Sequence, residues 1–480
     1  MNKSEVSMGV KCCLWGLALA LPLAAMAQPA APAPSVGEIK DRAQKGDAKA
    51  QLSLGVMYYQ GQGVLQHFGE AAKWFQKAAE GGDAQAARNL ATMYFQGQGV
   101  EKDNALAAKW TRKAADSGDA IAQNEMGWMY SRGIGVAEDM AQAAKWFQKA
   151  AEQGNAVAQK NLGVMYSRGL GVPKNAAEAT KWFKKAADQG VTEAQAELAS
   201  LMAQGQGVER DMAQAAKLFE EAANKGDVNA QKNLGILYFL GQGVKQDDEA
   251  ALKWLKRAGD AGNAQALYYL ALMHARGRGV KADEAAALTY YQKSANGGDA
   301  TAQNELGWMY DNGKGGVKEN DEEAFKWYRK AAEQGHLPAQ HNVGVMYANG
   351  RGVKKDAAEA FKWYQKAADQ GNARSQNEVG WFYDQGQVVK QDKKEAAKWF
   401  TKAAEQGFDV AQFNLGVLYA NDKLATPDYV EAYKWFNIAA AGGNTNAVNN
   451  REFVLRKLNP EQVKDAQKRA ADFMEKRGGQ

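Results

Sequence analysis

Residues 119–154 read "DAIAQNEMGWMYSRGIGVAEDMAQAAKWFQKAAEQG", and the parsing of this stretch decides the fold. In its first half, Ala122, Met126 and Met129 stand at i, i+4 and i+7, and Gln123, Met126 and Tyr130 at i, i+3 and i+7, the period of a helix with one buried face. That half ends at Gly133, a residue that caps helices because it adopts positive φ without steric cost. The second half starts at Asp139, an N-cap type, and stops at Gly154. A short "GIGV" turn joins the two. Two antiparallel helices of this length cannot bury their apolar faces alone, so neighbours must stack.

The neighbours are present. The aromatic of "KWFQKAA" recurs at Trp74, Trp110, Trp146, Trp182, Leu218, Trp254, Tyr290, Trp327, Trp363, Trp399 and Trp435. Successive differences are 36 residues, except 37 between Tyr290 and Trp327. Eleven repeats therefore occupy about 47–443. The extra residue is a glycine of "GKGGV" at 313–317, which is expected to perturb the array between repeats 8 and 9. Seven residues before each aromatic stands Asp, Asn or His67; such residues cap a helix start and oppose its positive end. Gly127, Gly163 and Gly307 belong to a column of mid-helix glycines, each costing ~1 kcal/mol relative to Ala. Close helix–helix approach is the expected reason.

Few function classes survive a search for chemistry. Net charge is +5 over 480 residues, small for a polyanion binder. Residues 1–27 have a basic start, an apolar run and an Ala25-Met26-Ala27 end, which reads as a cleavable export signal with Gln28 as first mature residue. Both cysteines, Cys12 and Cys13, lie within it, leaving the mature chain no thiol. Residues 28–34 read as a Pro/Ala linker, 35–46 as a capping helix, and 444–480 as C-terminal capping helices. His67, His274, His336 and His341 show no metal-ligand spacing, and "GKGGV" lacks the spacing of a phosphate loop. Catalytic, cofactor and metal residues are expected to be absent. Lysines one before and three after the aromatic, such as Lys145 and Lys149, are flanked by acids and read as a charge-balanced solvated face without nucleic acid.

The A-x-A-Q-x-x-L-G-x-x-Y-x-x-G-x-G-V…D-x-x-x-A-x-x-W-x-x-K-A-A-x-x-G pattern resembles the Sel-one-like repeat family, a cousin of the tetratricopeptide repeats. The resemblance implies an all-α α-solenoid whose first helices line a concave groove. In repeat 3 the groove-facing places would be Ile121, Asn124, Trp128, Ser131 and Arg132. Equivalent places elsewhere hold Arg88, Lys160, Arg168, Lys232, Tyr268 and Arg276, then Trp308, Asp311, His341, Arg374, Trp381 and Asp384. The partner-binding candidates are Trp128, Arg132, Lys160, Arg168, Arg276, Trp308, Asp311, Trp381 and Asp384. The groove is expected to run from basic to mixed or acidic. The expected function is a non-catalytic scaffold of the periplasm or cell exterior, without a membrane anchor after signal cleavage, that binds a protein or peptide. A secreted factor binding a host protein is the alternative. A cell-wall or β-lactam hydrolase ranks third, because the relatives credited with that activity staple each repeat with a disulfide.

Overall fold

A computed structural model describes residues 35–421 and 427–478. The export signal and linker lie outside the described residues. Among the described residues there are twenty-five helices and no strand. The chain divides into two compact units, one reaching Leu162 and including Leu170–Pro173, the other holding Gly163–Gly169 and everything from Lys174 onward.

Each repeat is a helical hairpin, here called helix A and helix B; in repeat 3 they are Ala120–Arg132 and Met140–Glu152. The aspartate column starts the B helices as its chemistry requires. Asp139 accepts from the Gln142 N–H at 2.9 Å, and Asp247 from the Ala250 N–H at 2.9 Å. At the first repeat the imidazole Nδ1 of His67 accepts from the Glu70 N–H at 3.1 Å. The A helices of the first ten repeats end on a left-handed glycine, such as Gly133 at φ 65°, and that of the eleventh on extended Asn421.

The mid-helix glycines make room for a ring. A Cβ at Gly127 would lie 2.6 Å from Cδ1 of Phe147, and one at Gly307 2.7 Å from Cδ1 of Tyr328. Helix A thus lies against the aromatic that follows the tryptophan of helix B, and these rings are buried.

Repeats are joined by polar contacts that the apolar pattern does not announce. Buried Gln123 donates from Nε2 at 3.1 Å to the Ala115 carbonyl at the end of the preceding B helix, which also accepts the Gly118 N–H at 3.1 Å. Gln153, at the end of its own B helix, donates in turn to Gln123 Oε1 at 2.8 Å. The same exchange recurs at Gln303 with Ala295 and Gln334, and at Gln376 with Ala368 and Gln406.

The "GxGV" turns rest on the preceding repeat. A Cβ at Gly135 would fall 1.9 Å from the Asn104 carbonyl oxygen, and one at Gly352 2.0 Å from that of Asp321. Their middle residues also reach back: Arg351 lies 2.6 Å from both Asp311 and Asp321, and Arg278 pairs with Asp248. The extra glycine alters this contact in repeat 8. Gly315 faces Met309 of its own helix, and Gly316 meets only the Leu288 side chain, at 4.0 Å. The insertion therefore changes the turn's contact with repeat 7, whereas repeats 8 and 9 keep the Arg351 latch. This corrects the expectation from sequence.

In repeat 10 the second turn glycine is replaced by Val388, the sole non-glycine at positive φ (68°) among the described residues, 51% exposed. A β-branched residue held there costs about 1–3 kcal/mol. Glycine gives back part of that through the unfolded chain. Val388→Gly is expected to stabilise the protein by about 1 kcal/mol, read as a higher denaturant midpoint with an unchanged slope.

Candidate functional site

The tryptophans separate the two helices of each hairpin. Those of the B-helix column from Trp110 to Trp435 are buried. Lysine three residues on covers the ring face: Lys149 Nζ lies 4.1 Å from the Trp146 centroid, Lys330 4.0 Å from Trp327 and Lys402 3.9 Å from Trp399. Where a glutamate stands three residues earlier, the lysine before the aromatic pairs with it, as Lys326 to Glu323 at 3.0 Å and Lys398 to Glu395 at 2.7 Å. The two basic rows are therefore used locally, the second by cation–π stacking and not by the acids after it.

On the A helices the positions expected to face a groove are only partly covered. In the second unit Trp308 is 46% and Trp381 38% exposed, at the same place in helices Ala300–Asn312 and Ala373–Gln385. They do not touch, being two repeats apart. Arg168 and Arg276 are exposed as well. In the first unit Trp128 is half-buried, its ring edge-to-face on Phe95 at 6.0 Å, and Arg132 and Lys160 are half-buried.

Three of the candidates are committed to the fold. Trp128 packs against the preceding repeat because Phe95 supplies a ring beside it. Asp311 sits 2.6 Å from Arg351 and receives the Tyr328 hydroxyl at 3.4 Å. Asp384 is 8% exposed and paired with Lys393 at 2.7 Å. The acidic end of the face is therefore not built from Asp311 and Asp384.

Three further carboxylates stand in a repeated segment outside the candidate set. The segment "QNE-x-G-W" occurs at 123–128, 303–308 and 376–381. Its glutamate lies three residues before the tryptophan, so both share a helix face. Burial pushes the Glu125 carboxyl up to about 7, against the opposing pull of Arg88. Burial also raises Glu305 and Glu378. The asparagine beside each glutamate is tied to the next repeat: Asn161 donates to Asn124 at 3.3 Å, Asn342 to Asn304 at 3.3 Å and Asn414 to Asn377 at 2.8 Å. What could have revealed this site was the threefold repetition of the segment, each time followed by a repeat with asparagine at the glutamate place. Among its neighbours, His341 is pushed down to about 4 by burial and Arg374, and its Nδ1 lies 2.9 Å from the Ser375 hydroxyl.

The Sel1 repeat pattern matches the chain in eleven consecutive copies, from 48–83 through 300–336 to 409–444. The chain belongs to the Sel1 repeat family. Its 36-residue hairpins and the longer eighth copy are those of a Sel1 solenoid. The crystal structure of c5321, a protective antigen present in uropathogenic Escherichia coli strains and displaying an SLR fold, is 36% identical. That match covers 92% of this chain and 94% of the other, with a TM-score of 0.66. A Sel1 repeat protein from Oxalobacter formigenes is 31% identical over 72% of this chain and 88% of its own, with a TM-score of 0.49. Comparison with curated proteins gives no match. Sel1 solenoids are commonly protein-interaction scaffolds and typically non-catalytic. Among the described residues, no group of three or more His, Cys, Asp or Glu has metal-site geometry, and no helix is long and apolar enough to cross a membrane.

Proposed function

We propose that this Sel1 protein is an exported, non-catalytic scaffold that holds a protein or peptide partner along the groove-facing side of its A helices. One observation carries the reading. Trp308 and Trp381 stand open at equivalent positions of one unit, while the B-helix tryptophans from Trp110 onward are buried. Large aromatics on an otherwise polar face are the residue types that dominate binding energy at interfaces. Export rests on the basic and apolar start with its Ala25-Met26-Ala27 end. The similar uropathogenic protein is described as a protective antigen, which accords with a chain that reaches the cell envelope or exterior.

The test is a pull-down with the mature protein from envelope and secreted fractions, repeated with Trp308→Ala plus Trp381→Ala. The double variant is expected to lose the partner, by at least tenfold in affinity, at unchanged helical circular dichroism. Equal recovery by both proteins would overturn the reading. N-terminal sequencing of the exported protein is expected to begin at Gln28.

A further inference from the structure

We propose that Glu378 with Trp381, and Glu305 with Trp308, are two seats for cationic side chains of an extended peptide lying across the A helices. This rests on the partner-binding reading above and names the chemistry of the partner.

The three "QNE-x-G-W" segments differ in one informative respect. In the first unit a cation is already supplied from within: Arg88, at the corresponding place of the preceding helix Ala84–Gln96, lies 3.9 Å from Asp119 and also pulls on the Glu125 carboxyl. There the tryptophan is packed away against Phe95. In the second unit the residues at the Arg88 place are Tyr268 and His341, neither of which is cationic there. Glu378 has Asn377 as its hydrogen-bond donor at 3.2 Å, and no cation acts on its carboxyl. Arg374, one turn earlier, acts on His341 instead. Glu305 feels Arg276, an exposed side chain near the end of helix Ala264–Arg276, with Tyr268, Tyr291 and Tyr328 as its other polar neighbours. It is in these two copies that the tryptophan stands open.

A half-buried carboxylate one turn from an exposed indole presents a negative oxygen and an electron-rich ring face together. An ammonium or guanidinium is the group that both attract. A carboxylate ligand would meet repulsion, and an apolar one would leave Glu378 without a countercharge and Glu305 with only the exposed Arg276. The paired amides of Asn304 with Asn342 and of Asn377 with Asn414 hold the floor beside each seat. Adjacent A helices lie roughly 10 Å apart, so seats two repeats apart are about 20 Å apart. An extended peptide advances ~3.3 Å per residue, which places its two basic residues about six positions apart.

The test screens the full mature chain against a positional-scanning library of acetylated, amidated twelve-residue peptides. Arginine or lysine is expected at two positions about six apart among the binders. For the best binder, Glu378→Gln and Glu305→Gln are each expected to weaken affinity about tenfold, as is citrulline in place of either arginine. Glutamine keeps the shape, and unchanged circular dichroism would show the fold intact. Binders that lack basic residues and ignore both glutamine substitutions, yet depend on Trp308 and Trp381, would overturn the cation seats and leave the groove reading standing. No binder of any charge would overturn both.

Discussion

Phe400→Ala is expected to cost about 3–5 kcal/mol, the range for removing a fully packed ring. Phe400 lies in helix Lys393–Glu405 of repeat 10, buried with Leu415, Leu418 and Trp435. The upper part of the range applies because of what faces the ring. A Cβ at Gly380 would sit 2.7 Å from Phe400 Cδ1, so the opposing helix has already given up its side chain to admit it. With the ring gone, nothing on that helix collapses into the space. The pair should therefore be strongly non-additive. Gly380→Ala is expected to recover about 1 kcal/mol in the Phe400→Ala background, through helix propensity and partial filling. In the wild-type background it should lose stability, because the methyl would fall 2.7 Å from the ring and the overpacking outweighs the propensity gain. Repeat 2 carries Ala91 with Thr111 at the ring place, whereas repeats 5 and 7 seat Ala199 with Phe219 and Ala271 with Tyr291, so the ring tolerates an alanine where the hairpin is built around both. Stability in a stacked array is nearly a sum of repeats and interfaces. Hydrogen exchange should therefore rise first around residues 373–420, and uniform loss across both units would contradict this account.

The parts of this fold legible from sequence were those in which one residue type answers one local demand. Asp139 and its column satisfy N–H groups of their own helix, and Gly133 takes a positive φ that others avoid. Such demands leave a mark every 36 residues. The Gln123 column leaves an equally regular mark, but its partners are the Ala115 carbonyl and Gln153, eight residues before and thirty after. Periodicity alone does not say whether a buried amide is bonded or misplaced. The candidate site was harder still, since charge in sequence carries no record of its partner. Asp311 and Asp384 looked free until Arg351 and Lys393 were seen beside them. Glu305 and Glu378 looked like ordinary surface acids on a helix until their burial was seen. Trp128, Trp308 and Trp381 share one motif, and a single ring in the neighbouring repeat, Phe95, separates the first from the others.

Glu125→Gln is expected to stabilise the protein by about 2–3 kcal/mol near pH 8 and to change little near pH 4.5. Burial raises the folded-state carboxyl from 4.5 to about 7, with Asp119 adding to the rise and Arg88 opposing it. A group raised on folding binds its proton more tightly in the native state, so the stability it lends is complete below its unfolded pKa. That stability is lost as pH climbs towards and through the folded value, at ~1.4 kcal/mol for each pH unit between the two. Below 4.5 the carboxyl is neutral in both states and glutamine differs from it little. Above about 7 the native state must hold a poorly solvated carboxylate, whose desolvation the nearby Arg88 only partly offsets. Subtracting wild-type from variant stability cancels the other carboxyls, including Glu305 and Glu378, which are raised in the same sense. The difference should therefore rise between pH 4.5 and 7 and then level off. A gain that stays constant with pH would mean that glutamine acts by packing or helix propensity, and that Glu125 carries its charge at no cost.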